Sequence, residues 1–116
     1  MRPIVVCDFG DVVVVPFPFV DRPISKRRPA LVLSHERFNA ENGHSILAMI
    51  TTAAQTNWPS DIALSADSDA GLTHRSVVRW KLFTLPNDLI LRRIGELSSA
   101  DRTTVAGAAK GILAAA

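Results

Sequence analysis

The stretch Gly10-Asp11-Val12-Val13-Val14-Val15-Pro16 decides the fold class. Four consecutive β-branched residues follow Gly10, which is typical of a buried strand rather than of a helix. Pro16 and Pro18 lack the N–H that an inner strand uses, so they disfavour a central place in the sheet. The stretch therefore predicts a buried strand that is not a central one.

Further short strand patterns follow along the chain. They are predicted over residues 29–34, 45–52, 61–64, 76–80 (with an extension to 84) and 89–94. Turn-forming residues between them predict a loop over 17–27, a helical turn within 35–43 and a turn over 66–72. No long helix alternates with the early strands, which disfavours a parallel βαβ sheet. The pattern predicts a mainly β fold, a small β-barrel of five to six or more short antiparallel strands.

The C-terminal part of the chain changes to a helical pattern. Ser98 or Ser99 is a suitable N-cap, and Asp101 lies three residues beyond Ser98, as in a capping box. The apolar residues of this segment recur at helical spacing, at Val105, Ala109, Ile112 and Leu113. We therefore predict a C-terminal amphipathic α-helix with a thin apolar stripe.

Size and composition set the class of protein. The chain has 116 residues, 47% hydrophobic and 21% charged, which predicts one globular domain over residues 1–116. Prolines interrupt the apolar run Val12–Val20, which argues against a membrane span, and Asp8 and Asp11 argue against a secretory signal. The expected location is the cytoplasm. Cys7 is the one cysteine, and we expect a small buried hydrophobe there.

Positive charge is concentrated in two stretches although the net charge is only +2. The first holds Arg22, Lys26, Arg27 and Arg28, and the second runs from Arg75 to Arg93. Such patches suit a polyanion such as RNA. A solvated surface without a ligand is the alternative interpretation.

Several kinds of catalytic motif are missing from the sequence. It has no GxGxxG or Walker pattern, no GxSxG motif and no complete HExxH. His44 and His74 have no ligand spacing and are expected at the surface. Arginine and threonine remain, and they suit RNA cleavage, in which the 2′-hydroxyl is the nucleophile and a cation stabilises charge on the phosphate.

Three blocks of the sequence resemble the MazF/PemK toxins of type II toxin–antitoxin systems. They are Gly10–Phe19, Arg27–Ser34 and Ala48–Thr52, and the resemblance covers about residues 10–113. It implies an SH3-like barrel, usually a homodimer, that acts as a metal-independent endoribonuclease without a cofactor. The implied substrate is single-stranded RNA, and the implied partner is a cognate antitoxin, through which alone the toxin would contact DNA.

The resemblance assigns the catalytic roles to Arg28 and Thr51. Pro29 holds Arg28 in extended geometry, where a basic loop enters a strand. A guanidinium is a poor base, so Arg28 is interpreted as a stabiliser of the transition state, and the sequence singles out no base for the 2′-proton. The predicted RNA-binding residues are Arg22, Lys26, Arg27, Thr52 and Trp58. Phe17, Phe19 and Trp80 are expected in the core or a dimer interface.

Two other functions fit the same residues. A small barrel with a basic loop can bind nucleic acid or protein without chemistry. A toxin of this shape can also poison a protein such as a topoisomerase, in which case Arg28 and Thr51 have no joint role.

Overall fold

The computed structural model describes residues 6–17, 26–53 and 57–114, and its main feature is one antiparallel sheet. Within those residues there are six strands: β1 Asp11–Phe17, β2 Lys26–Val32, β3 His44–Thr52, β4 Ile62–Ala63, β5 Ser76–Pro86 and β6 Arg92–Glu96. Their order across the sheet is β4-β5-β3-β2-β1-β6, and the sheet curls into a half-barrel. Two α-helices, α1 Glu36–Asn42 and α2 Ser99–Ile112, and a 3-10 turn Asn87–Leu89 complete this part of the chain. The predicted mainly β fold with a C-terminal helix is confirmed.

The central strands are buried on both faces, which explains their unbroken apolar runs. Val12 packs in a cluster with Leu31, Trp80 and Val105 of α2 on one face. Val13 and Val15 point the other way and pack with Cys7 and Leu47. Because successive side chains of a strand alternate between faces, such a strand needs apolar residues at every position. Trp80 lies in the core, as the sequence predicts.

The place of β1 in the sheet differs from the prediction. It is an inner strand, between β2 and β6, although it contains Pro16. The ladder with β6 ends at Val14, so Pro16 has a partner, Arg27, on one side only. A proline is tolerated there because no second strand requires its missing N–H.

Other limits of the strands and loops also differ from the prediction. The predicted loop over 17–27 is wrong at both ends, since Phe17 belongs to β1 and the basic residues Lys26 and Arg27 already belong to β2. The strand predicted over 89–94 begins later, because the 3-10 turn occupies residues 87–89. Strand β5 is one long element that absorbs a bulge opposite Ala48 and Met49.

The C-terminal helix begins as predicted but is less covered than its pattern suggests. Ser98 is the N-cap, and its hydroxyl accepts the N–H of Asp101 at 3.2 Å. Val105 is fully buried, whereas Ile112 and Leu113 are exposed, so the apolar stripe is covered only in its first half. In the described part of the chain, neither helix has the length and apolar character of a membrane span.

The Cys7 thiol lies in the second core cluster and is 1% exposed. Burial, with a smaller contribution from the Asp11 carboxylate, raises the pKa of this thiol to about 11. Since the thiolate is the reactive form, we expect no modification by a thiol reagent at pH 8 in the native protein and full modification after denaturation. Rapid labelling of the native protein, followed by absorbance or mass, would contradict this placement of Cys7.

Candidate functional site

A groove of about 570 Å³ lies at one end of the sheet, where β2, β3 and β5 meet. Strand β3 contributes residues 49–52 and β2 contributes Arg28 and Pro29. Its remaining lining residues come from β1, from β5 and from the segment that precedes β5: Phe17, Leu72, Thr73, His74, Ser76, Arg79 and Lys81.

The two residues that the resemblance marks as catalytic, Arg28 and Thr51, line this groove together. The bridges between β2 and β3 end at the pair Ala30 and Met49, next to Pro29, which has no N–H to donate. Arg28 and Thr51 each lie two residues beyond this last pair on their strands. Both side chains then share the sheet face of Ala30 and Met49, since residues two apart in a strand point the same way.

The lining of the groove is cationic. Arg28, Arg79 and Lys81 belong to it, and no aspartate or glutamate is among its described lining residues. Arg28 is exposed, and within the described residues its side chain takes part in no hydrogen bond or ion pair. This guanidinium is therefore available to an anion from solution.

Arg79 has a different environment from Arg28. Its Nε and Nη2 donate to the two carboxylate oxygens of Asp61 at 3.1 and 2.8 Å, which is a bidentate pair. The hydrogen bonds from Arg79 lower the pKa of Asp61, and the N–H of Trp58 acts in the same direction. The Arg79 guanidinium also lies over the indole ring of Trp58, 5.5 Å from its centroid.

One rim of the groove is formed by residues 72–76, which follow a tightly held turn. The N–H of Leu72 donates to the Asp67 carbonyl at 2.9 Å, and the N–H of Ser76 donates to the Asp67 carboxylate at 3.2 Å. Gly71 has a φ of +75° and lies against the Ile94 carbonyl of β6, where a side chain would clash. The turn is therefore fixed to β6, and the residues that follow it, Leu72, Thr73 and His74, line the groove.

The predicted RNA-binding residues fall into different places. Thr52 lines the groove. Lys26 and Arg27 are exposed on β2 but are not among its lining residues. Trp58 is not a lining residue either, and it reaches the groove through Arg79. Arg22 lies outside the residues that the structure describes, and so does Phe19.

Sequence reasoning named only Arg28, Thr51 and Thr52 of the lining residues as site residues, and three of those that it missed are informative. His74, expected only at the surface, is exposed and lines the groove, with its Nδ1 2.9 Å from the Thr73 hydroxyl. Phe17, expected in the core or an interface, is half-buried and lines it too. Met49 faces Arg79 across the β3–β5 ladder. The β3–β5 pairing brings Met49 to Arg79, 30 residues away, and Phe17 arrives on β1 beside β2. No local pattern in the sequence reports these contacts.

Comparison with known proteins identifies the family. A sequence model of the PemK-like, MazF-like toxins of type II toxin–antitoxin systems matches residues 8–113, nearly the whole chain. The chain belongs to this toxin family. The resemblance that the three sequence blocks indicated is thereby confirmed. No significant match was found among curated proteins.

Solved structures of the family share the fold. The MazF of a Deinococcus radiodurans MazE–MazF crystal structure (Form-III) is 23% identical with a TM-score of 0.76, and the match covers 97% of this chain and 100% of that one. A mycobacterial endoribonuclease solved with its cognate antitoxin is 17% identical, with a TM-score of 0.72 and 94% of each chain covered. The Mycobacterium tuberculosis toxin MazF-mt6 is 24% identical, with a TM-score of 0.68 and 89% and 95% covered. At these identities the likeness shows the fold alone.

Among residues 6–17, 26–53 and 57–114, no group of three histidine, cysteine, aspartate or glutamate side chains could hold a metal ion.

Proposed function

We propose that this toxin is a metal-independent endoribonuclease that cleaves single-stranded RNA, mRNA in the cell, within the groove. The observation that carries the proposal is the presence of Arg28 and Thr51 in one cationic groove of a MazF-like toxin. An RNA strand is a polyanion, and the Arg28 and Lys81 cations of the groove lining attract it from solution, whereas the charge of Arg79 is balanced by Asp61.

The proposed reaction uses a nucleophile that the RNA itself supplies. The 2′-oxygen attacks the adjacent phosphorus, the bond to the 5′-oxygen breaks, and the products are a 2′,3′-cyclic phosphate and a 5′-hydroxyl. Negative charge grows on the phosphate oxygens during the attack, and the Arg28 guanidinium donates to them. The Thr51 hydroxyl both donates and accepts, so it can hold the phosphate against Arg28. Their presence in one groove supports contact of both groups with the same phosphate.

The remaining predicted binding residues would track the strand on either side of this phosphate. Thr52 lines the groove beside Thr51. Lys26 and Arg27 lie on the same strand as Arg28 and, with Arg22, would contact neighbouring phosphates. Contacts of this kind add affinity without sequence preference and weaken as salt concentration rises.

Partners are proposed from the family. The Deinococcus radiodurans structure is a MazE–MazF complex, and the mycobacterial enzyme is described with its cognate antitoxin. We propose that a cognate antitoxin inhibits this toxin by occupying the groove, that the toxin is a cytoplasmic homodimer of one domain per chain, and that it contacts DNA only through the antitoxin complex. Sedimentation as a monomer at micromolar concentration would contradict the dimer.

The purified protein should cut a mixed-sequence RNA in the presence of EDTA. End analysis should find 2′,3′-cyclic phosphates, and an RNA with a 2′-O-methyl group at the cut site should survive because its nucleophile is blocked. Cutting of the blocked RNA, or activity that requires a divalent cation, would contradict the mechanism. Binding with no product would favour a non-catalytic module, and intact RNA with a stalled topoisomerase would favour a poison.

A further inference from the structure

Trp58 presents an exposed aromatic surface beside the groove. Its side chain is 42% exposed, an unusually open position for so large an apolar group. The Arg79 guanidinium covers part of the ring at 5.5 Å from its centroid, and Arg79 itself lines the groove. The indole is thus held from the groove side by a cation.

Asp61 fixes both members of this contact. Its carboxylate accepts the bidentate pair from Arg79, with the two side chains only 8% and 13% exposed. The carboxylate also accepts the backbone N–H of Trp58 at 3.0 Å, and the backbone N–H of Asp61 donates to the Trp58 carbonyl at 3.0 Å. The Asp61 carboxylate therefore holds both the turn that carries the Trp58 indole and the Arg79 guanidinium that touches this indole.

The arrangement orients the ring more than it stabilises the fold. A nearly buried ion pair gains little net stability, because loss of hydration offsets the attraction between the charges. Its geometry is nevertheless restrictive, since a planar guanidinium fork on a carboxylate allows a single orientation. With its charge balanced by Asp61, Arg79 is also a weaker phosphate ligand than Arg28.

The Trp58 ring lies close enough to the proposed reaction centre for a neighbouring nucleotide to reach it. Arg79 faces Met49 across the β3–β5 ladder, and Met49 precedes Thr51 by two residues on the same face. Two residues of a strand span about 7 Å. An RNA strand with its scissile phosphate at Thr51 would therefore pass Arg79 with a neighbouring nucleotide, whose base can turn toward Trp58.

We propose that Trp58 stacks on an unpaired base next to the scissile phosphate, and that Asp61 and Arg79 are positioning residues that hold the indole for it. The inference rests on the proposed function and adds to it a base-binding platform. Single-stranded RNA is commonly held by stacking of splayed bases on aromatic side chains, with little dependence on which base is stacked.

The test measures binding of an uncleavable RNA, so that affinity is separated from chemistry. A 2′-O-methyl RNA oligonucleotide is titrated into the unaltered protein, Trp58→Ala, Asp61→Asn and the double variant. Trp58→Ala should raise the Kd about tenfold. Asp61→Asn should raise it severalfold in the unaltered background, because Asp61 acts through the ring, but should not raise it in the Trp58→Ala background, where the Arg79 cation released from Asp61 can only strengthen RNA binding. A severalfold rise in Kd on Asp61→Asn that persists without Trp58 would overturn the positioning role.

Fluorescence gives a second readout that a purely structural role would not change. Of the two tryptophans in the chain, Trp80 is buried, so quenching by RNA should come from Trp58 and disappear in Trp58→Phe, which keeps an aromatic ring and binding. Phe38→Ala is the matched control, since Phe38 is 39% exposed on α1 and is not a lining residue of the groove. Phe38→Ala should leave the Kd and the fluorescence quenching unchanged.

Cleavage of unmodified RNA by the same proteins separates a failure of the stacking inference from a failure of the proposed function. If the unaltered protein cleaves and Trp58→Ala leaves the Kd unchanged, the stacking inference alone is wrong. If the unaltered protein neither binds nor cleaves RNA, the proposed function is wrong and the inference is overturned with it.

Discussion

Arg28→Ala should lower the rate of RNA cleavage by about 10²- to 10³-fold, the usual cost of removing one donor to a transition-state anion. Arg28 lines the groove with Thr51 and has no ion-pair partner within the described residues. Its guanidinium is therefore free to contact the phosphate, and the charge there is greatest when the 2′-oxygen attacks. The loss should consequently appear in kcat more than in KM.

Stability should be unaffected by this change. Arg28 is exposed, and surface substitutions of this kind usually alter the free energy of unfolding by less than about 0.5 kcal/mol. Thermal unfolding of the variant and the unaltered protein should therefore coincide, which distinguishes lost chemistry from lost fold. Arg28→Lys keeps the charge without the fork of donors and should recover only part of the rate.

Two other arginines serve as comparisons. Arg27 is adjacent on β2 but is not a lining residue of the groove, so Arg27→Ala should weaken RNA binding a few-fold and leave kcat nearly unchanged. Arg37 lies on α1, and Arg37→Ala should change neither RNA binding nor kcat. An Arg28→Ala variant that retains most of its kcat would remove the proposed role, and loss of kcat in Arg27→Ala would shift that role to the neighbouring residue.

The strands were predictable wherever their side chains are buried on both faces. The Val12–Val15 run and the 45–52 segment carry their own β signal, because the requirement for apolar residues is local. The prediction from Pro16 that β1 is not a central strand was wrong for a non-local reason, since a proline is tolerated or not according to where β6 ends beside β1. Ile112 and Leu113 keep the helical spacing of the apolar stripe but are exposed. The spacing is local, whereas the packing that covers the first half of α2 is not.

The candidate site was predictable only as far as a motif could mark it. Arg28 and Thr51 lie in blocks that resemble the family, and the structure places both in one groove. Arg79 was visible only as part of a basic stretch. Its pairing with Asp61 arises from the contact between β4 and β5, which the sequence does not specify residue by residue. Trp58 gained its orientation from the same pairing.

Gly95→Ala should be strongly destabilising, because position 95 has no room for a side chain. A Cβ there would overlap the carbonyl carbon of Ala70 and lie 2.6 and 2.7 Å from the carbonyl oxygens of Ala70 and Asp69. All three are backbone atoms of the turn that precedes the groove rim, and backbone cannot rotate away as a flexible side chain can. We expect a loss of about 3 kcal/mol in the free energy of unfolding, at the upper end for overpacking.

The same substitution tests how the turn supports the groove. Ala70 is fully buried in the first core cluster, and the turn continues into Leu72, Thr73 and His74 of the rim. Movement of the turn away from β6 should displace that rim, so cleavage should fall even at temperatures where Gly95→Ala remains folded. A folded variant with unchanged kcat and KM would show that the rim does not depend on this contact.

Gly107→Ala is the matched control, with an expected effect of opposite sign. Gly107 lies inside α2, and nothing would lie within 4 Å of a Cβ there. Alanine favours the helix over glycine by about 1 kcal/mol, so this variant should be more stable than the unaltered protein and equally active. Urea unfolding of both variants measures the two changes on one scale. If Gly95→Ala unfolds at the same urea concentration as Gly107→Ala, the close packing of the turn on β6 is wrong, and with it the support proposed for the rim.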